Sequence, residues 1–86
     1  MLTTIDRMLA EEDLVEAEAA VAQGKRHIKR QIAIISELER DGHDAARAVD
    51  LLRTFREVQV EHEAHRDRIR AELGAPMPMG PLNVAR

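Results

Sequence analysis

Apolar residues recur along this chain with a period that divides it into two long amphipathic segments. In the first segment, large apolar residues stand seven positions apart at Leu14, Val21, Ile28 and Ile35. Such a repeat, in segments rich in Ala, Glu, Arg and Leu, is typical of α-helices that pack along a narrow stripe. We expect two helices that share one apolar contact line, the seam, whose large residues are Leu14, Val21, Ile28, Ile35, Leu38, Leu52, Phe55, Ile69 and Leu73.

One turn signal separates the two segments. It is the stretch 41–44, which reads Asp-Gly-His-Asp. Gly42 is suited to the left-handed conformation that ends a helix, and Asp44 is suited to cap the next one. The pattern therefore predicts helix one over about 4–40 and helix two over about 45–73.

The outer ends of the hairpin also carry boundary signals. Thr3 or Thr4 is the expected N-cap of helix one, and Gly74 closes helix two. The segment 75–86 contains all three prolines of the chain, which cannot continue a helix, so we expect a flexible tail there. The predicted organisation is one helical hairpin over 1–74 followed by this tail.

Folding the chain back at the turn brings complementary side chains together. Ile28 then faces Phe55, and the small Gly24 faces the long Gln59. Polar residues in a seam, here Gln59 and Gln31, often fix register at some cost in stability. The sequence therefore predicts an all-α fold: an antiparallel, coiled-coil-like two-helix hairpin.

Several apolar residues lie outside the seam. In this register, helix two does not reach the residues before about Ala10, yet those residues include four apolar ones at helical spacing. A short hairpin buries little surface and is marginally stable alone. We therefore expect a homo-oligomer, preferably a dimer that forms a four-helix bundle, or an unidentified protein partner. The expected contact residues are Leu2, Ile5, Met8 and Leu9, and a second stripe at Ile32, Leu51 and Val58.

Composition narrows the function. The chain has 86 residues, no cysteine, one aromatic residue and a formal net charge of −3. It contains no nucleophile–base arrangement and no glycine-rich phosphate loop, and a hairpin offers little concavity, so we expect neither an enzyme nor a cofactor. The N-terminus resembles no signal peptide and no apolar run is long enough to cross a membrane, so a cytoplasmic protein is expected.

One basic cluster, Lys25, Arg26, Lys29 and Arg30, stands out in helix one. It could contact phosphates of a nucleic acid or an anionic surface. The acidic balance of the chain and the absence of stacking aromatic residues argue against nucleic acid. We therefore interpret this cluster first as a solvated helix face.

Two histidines in helix two have spacing that permits shared chemistry. His62 and His65 are three residues apart and could hold one metal ion, with Glu18 or Asp67 as a possible third ligand. We instead expect a half-buried His62 within a polar layer and a solvated His65, so no metal site is predicted. The step from His62 to Glu63 resembles the phosphoacceptor box of two-component sensor kinases, which also dimerise through a helical hairpin. That resemblance implies phosphotransfer at His62. The downstream residues differ from the box, and the seam is expected to bury His62.

A longer stretch is similar to a group of short bacterial helical proteins of unassigned function. The resemblance extends over about 14–74 and implies the hairpin fold but no activity or site. It lies in the runs 27–31, 37–44 and 65–68, with Ile35, Leu51, Leu52, Phe55 and His62. The leading hypothesis is therefore a non-enzymatic, self-associating hairpin acting through protein–protein contacts. Anion binding by the basic cluster and histidine-based phosphotransfer or metal binding are the alternatives.

Overall fold

The fold is an antiparallel hairpin of two α-helices. The computed structural model describes residues 3–74, in which α1 comprises Thr4–Arg40 and α2 comprises Ala46–Gly74. The 37 residues of α1 span about 55 Å at 1.5 Å per residue. Within 3–74 there is no strand, and the helices pack side by side along their length. The predicted all-α helical hairpin is confirmed; Leu2 and the tail at 75–86 lie outside the described residues.

A capping box starts α1. The Thr3 hydroxyl accepts a hydrogen bond from the Asp6 backbone N–H at 3.0 Å, and the Asp6 carboxylate accepts one from the Thr3 N–H at 3.4 Å. These two bonds satisfy backbone donors that have no partner within the helix. Thr3, rather than Thr4, is therefore the N-cap.

The turn between the helices depends on a glycine. Gly42 has φ +77°, and its N–H donates to the Glu39 carbonyl at 3.2 Å, while the His43 N–H donates to the Leu38 carbonyl at 2.8 Å. This pair of bonds is a Schellman motif, which ends a helix and reverses the chain. The Asp44 carboxylate then accepts from the N–H of Ala46, the first residue of α2, at 2.9 Å.

The seam is narrow and incompletely covered. Of its nine large apolar residues, Val21 is buried and the other eight are half-buried. In the described range, the buried apolar residues are Ala10, Ala17 and Val21, and no large side chain is fully buried. A single hairpin therefore gives its large side chains only partial protection from water.

Contacts at the open end of the hairpin show how far the helices overlap. The Arg70 guanidinium lies 2.8 Å from the Glu18 carboxylate, and the Arg7 guanidinium donates to the Leu73 carbonyl at 3.4 Å. Ala10 is buried against this end of the hairpin. α2 therefore covers α1 as far as about Ala10, and the long Arg7 side chain contacts the last turn of α2.

Candidate self-association surface

A buried glutamine fixes the centre of the seam. Gln59 is 6% exposed, and its amide Nε2 donates to the Val21 carbonyl of α1 at 2.9 Å. Its Oε1 is buried without a hydrogen-bond partner in the described residues and lies against Gly24. An ideal Cβ at Gly24 would lie 2.8 Å from the Gln59 amide carbon, closer than real atoms approach. The helices can meet here because position 24 has no side chain.

A second glutamine makes the reciprocal contact nearer the turn. Gln31 of α1 is 6% exposed, and its Nε2 donates to the Ala48 carbonyl of α2 at 2.9 Å. Each helix thus sends one amide to a main-chain carbonyl of the other. A shift of one residue along either helix would remove the partner of a buried amide, so both residues oppose slippage of the register.

One side of the hairpin carries a groove that runs along the seam. Its central part has a volume of about 390 Å³ and includes His27, Phe55, Val58 and His62 in its lining. An adjoining part of about 240 Å³ shares His27 and Phe55 and continues to Ile34. The rings of His27 and Phe55 lie 5.8 Å apart between centroids, tilted by 37°. The groove is therefore a mainly apolar channel open to solvent, and Phe55 faces it as well as the seam.

The predicted second stripe is divided between two sides of the hairpin. Val58 lines the groove, and Leu51 stands seven residues before it on the same face of α2. Ile32 is two residues before Ile34, so its side chain points about 200° away around α1 from the residue that lines the groove. Leu51 and Val58 can belong to one contact surface, whereas Ile32 faces the opposite side.

The apolar residues at the start of α1 are open to solvent. Ile5 is 69% exposed, Met8 58% and Leu9 55%. Leu2, predicted to join them, lies outside the described residues. The three described residues form one apolar stripe about 100° wide, because their spacing of three and four positions places them side by side on the helix.

Sequence reasoning missed two exposed apolar residues. Val15 is 67% exposed and Val49 is 39% exposed, and neither was assigned to a surface. Val49 lines a shallow depression of about 400 Å³ on the side of α2 away from the groove, together with Leu52 and Val60. Val15 directly follows Leu14 and Val49 directly follows Ala48, so each stands beside a seam position but outside its seven-residue repeat.

The basic cluster is fully on the surface. Lys25, Arg26, Lys29 and Arg30 are all exposed, and none forms an ion pair with another described residue. Arg30 lines the end of the groove, which places it on the same side of the hairpin as Ile34. The cluster is therefore available for contacts outside its own chain.

The two candidate histidines occupy different environments. His62 is half-buried and lines the groove, whereas His65 is exposed. Between residues 3 and 74, no three His, Asp or Glu side chains are grouped closely enough to hold a metal ion. Over the same range, neither helix is long and apolar enough to cross a bilayer.

Comparison with known proteins does not assign this hairpin to a family. The chain matches no model of a known protein family, no curated protein and no solved structure. The arrangement that the described residues define is a helical hairpin with a partly covered seam, an apolar groove on one side and unpaired charges along α1.

Proposed function

We propose that this protein is a non-enzymatic, self-associating helical hairpin that acts through protein–protein contacts as a small regulator or adaptor. Its functional unit is a homodimer in which two hairpins form a four-helix bundle. One observation carries the proposal: nine large apolar side chains of the described hairpin are exposed, whereas its buried apolar residues number three, two of them alanines.

The energetics of burial favour association. Removing a large aliphatic side chain from water contributes about 1.5 to 3 kcal/mol. The hairpin forgoes much of this contribution, since Phe55 and the apolar seam residues around it are only half-buried. A second hairpin laid on the groove would cover Phe55, Val58 and Ile34 together and add the missing second layer.

The oligomeric state in solution tests the proposal. Analytical ultracentrifugation of the full chain from 1 to 200 μM is expected to show a reversible dimer, with helical circular dichroism that increases as the dimer forms. Replacing Leu51 and Val58 together by glutamine is expected to weaken the dimer, because both residues lie on the groove side of α2.

A matched substitution separates this surface from general hydrophobicity. Val60→Gln changes a more exposed valine, 64% against 42% for Val58, on the side of α2 away from the groove. It is expected to leave the dimer unchanged. A fully helical monomer throughout the concentration range would contradict the proposal, as would equal weakening by Val60→Gln.

A second candidate function is contact with an anionic polymer through the basic cluster. It is favoured by the absence of ion-pair partners for these four exposed side chains among the described residues. Fluorescence anisotropy with labelled DNA and RNA of mixed sequence at 50 mM salt tests it. Binding that weakens with salt and is lost in Lys25→Glu/Arg26→Glu, but kept in the exposed control Arg47→Glu, would support this function.

A further inference from the structure

Charge is distributed unequally between the two ends of the hairpin. The Gly24–Gln59 contact divides it into a half that contains the turn, 25–59, and an open half, 3–24 with 60–74. The turn half holds eight basic and six acidic residues, and the open half holds four basic and ten acidic residues. The hairpin is therefore positive at one end and strongly negative at the other.

Two pairs of like charges along α1 account for much of this polarity. Glu12 and Glu16 stand four residues apart in the open half, and Arg26 and Arg30 stand four apart in the turn half. Like charges at this spacing destabilise their own helix. None of the four has a residue of opposite charge three or four positions away. All four are exposed and none is ion-paired among the described residues.

The two pairs lie on the same face of α1. Arg26 stands fourteen residues after Glu12, and Arg30 stands fourteen residues after Glu16. Fourteen residues are two repeats of the seam, so each arginine lies on the same side of α1 as the glutamate that precedes it. Gln23 and Arg30, which stand seven and fourteen residues after Glu16 on this line, both line the groove. This face therefore borders the groove side of the hairpin.

We propose that two copies of this chain associate in antiparallel orientation through this face, with their turns at opposite ends of the dimer. Glu12 and Glu16 of one chain then face Arg30 and Arg26 of the other, and the two-fold axis repeats both contacts. The proposal rests on the self-association proposed above and adds the orientation of the copies and the residues that select it.

The remaining residues of the face fit the same arrangement. At the midpoint between the charged pairs lie Ala19 and Gln23, both exposed, and the small Ala19 permits close approach of the two α1 helices. The same symmetry places the exposed Leu9 of one chain beside Ala33 and Ile34 of the other, so the apolar start of α1 covers the far end of the groove. A parallel dimer would instead place the negative ends of both chains together, which like-charge repulsion disfavours.

Charge reversal tests the pairing. Glu12→Lys/Glu16→Lys alone, or Arg26→Glu/Arg30→Glu alone, places like charges opposite each other across an antiparallel interface. Each double variant is expected to raise the dimer dissociation constant by roughly tenfold or more at low salt. Mixing the two variants, or combining all four substitutions in one chain, restores opposite charges and is expected to restore the dimer. Circular dichroism of each variant checks that the helices persist.

An interchain distance tests the orientation. The chain has no cysteine, so Glu39→Cys, at an exposed site near the turn, introduces a single site for a spin label. In the antiparallel dimer two labels at this position are separated by about 54 Å, from eighteen residues of helical rise on either side of the axis. In a parallel dimer the labelled ends lie side by side, under about 25 Å apart.

The outcomes distinguish this inference from the broader proposal. A long distance together with rescue by the combined reversals supports the antiparallel dimer. A dimer with the short distance, or one that neither reversal weakens, overturns the orientation while self-association stands. A monomeric wild-type chain overturns both.

Discussion

Replacing Gly24 by alanine, which adds one methyl group, tests most directly whether the two helices approach closely at Gly24 and Gln59. In an ordinary helix interior, Gly→Ala stabilises by about 1 kcal/mol, because alanine loses less backbone freedom on folding. Position 24 lies inside α1, so helix propensity alone predicts that Gly24→Ala stabilises this protein. The structure predicts that this gain is cancelled or reversed, because the new Cβ would occupy space that the Gln59 side chain fills.

The size of the stability change follows from how the Gln59 side chain responds to the added methyl group. Moving the amide away from α1 breaks its 2.9 Å bond to the Val21 carbonyl, at a net cost of about 1 kcal/mol. If this hydrogen bond is retained, the added methyl group forces the two helices apart, and overpacking of this kind costs about 1 to 3 kcal/mol. The hairpin takes the less costly of these two routes, so after subtraction of the propensity gain Gly24→Ala is expected to leave the stability unchanged or to lower it by up to about 2 kcal/mol.

A double-mutant cycle isolates the contact. Urea unfolding of the wild type, both single variants and Gly24→Ala/Gln59→Ala is followed by circular dichroism at 222 nm at one fixed protein concentration. Without the Gln59 side chain the methyl group has room, so in that background Gly24→Ala is expected to stabilise by about 1 kcal/mol. Ala22→Gly, at an exposed position of the same helix, measures the propensity difference without a seam contact.

The difference between the two backgrounds decides between helix propensity and the Gln59 contact. Stabilisation by Gly24→Ala to the same extent in both backgrounds would show that Gln59 does not occupy this space, and the reasoning about close approach would be refuted. Stabilisation by Gly24→Ala in the Gln59→Ala background alone would show that the two positions are coupled across the seam.

Two further predictions concern single positions. Phe55→Ala is expected to lower the free energy of unfolding by about 2 to 3 kcal/mol in thermal or urea unfolding, less than for a fully buried phenylalanine because Phe55 is half-buried. Val60→Ala, at a 64% exposed site, should change it by under about 0.5 kcal/mol. Equal effects of the two substitutions would contradict the assigned seam. Gly42→Ala should cost about 1 kcal/mol in the same assay, since alanine is strained at φ +77°. A Cβ at Gly74 meets no atom of the described residues within 4 Å, so Gly74→Ala should be neutral or slightly stabilising; equal responses would show that the turn does not depend on the left-handed conformation.

The period of apolar residues was sufficient to predict the hairpin. Two segments of good helix formers separated by a single Asp-Gly turn can adopt few other folds. The seven-residue repeat determines the face along which the helices pack, and Gly42 determines where the chain reverses. The register also predicts that Gly24 faces Gln59. A long side chain fits opposite a glycine, whereas two long side chains would compete for the same space. These features depend on spacing along the chain, which the sequence contains directly.

Other features depended on three-dimensional placement around each helix. Ile32 and Val58 are both apolar and outside the seam, yet only the folded hairpin shows that they face opposite sides. The use of His27 and Phe55 as walls of a groove likewise arises only where the two helices pack against each other. A linear pattern specifies the contact line of a helix well, but it does not determine which flanking residues of one helix share a side with those of the other. For this protein the sequence determined the hairpin and its seam, and the tertiary structure decided which surface is left for a second chain.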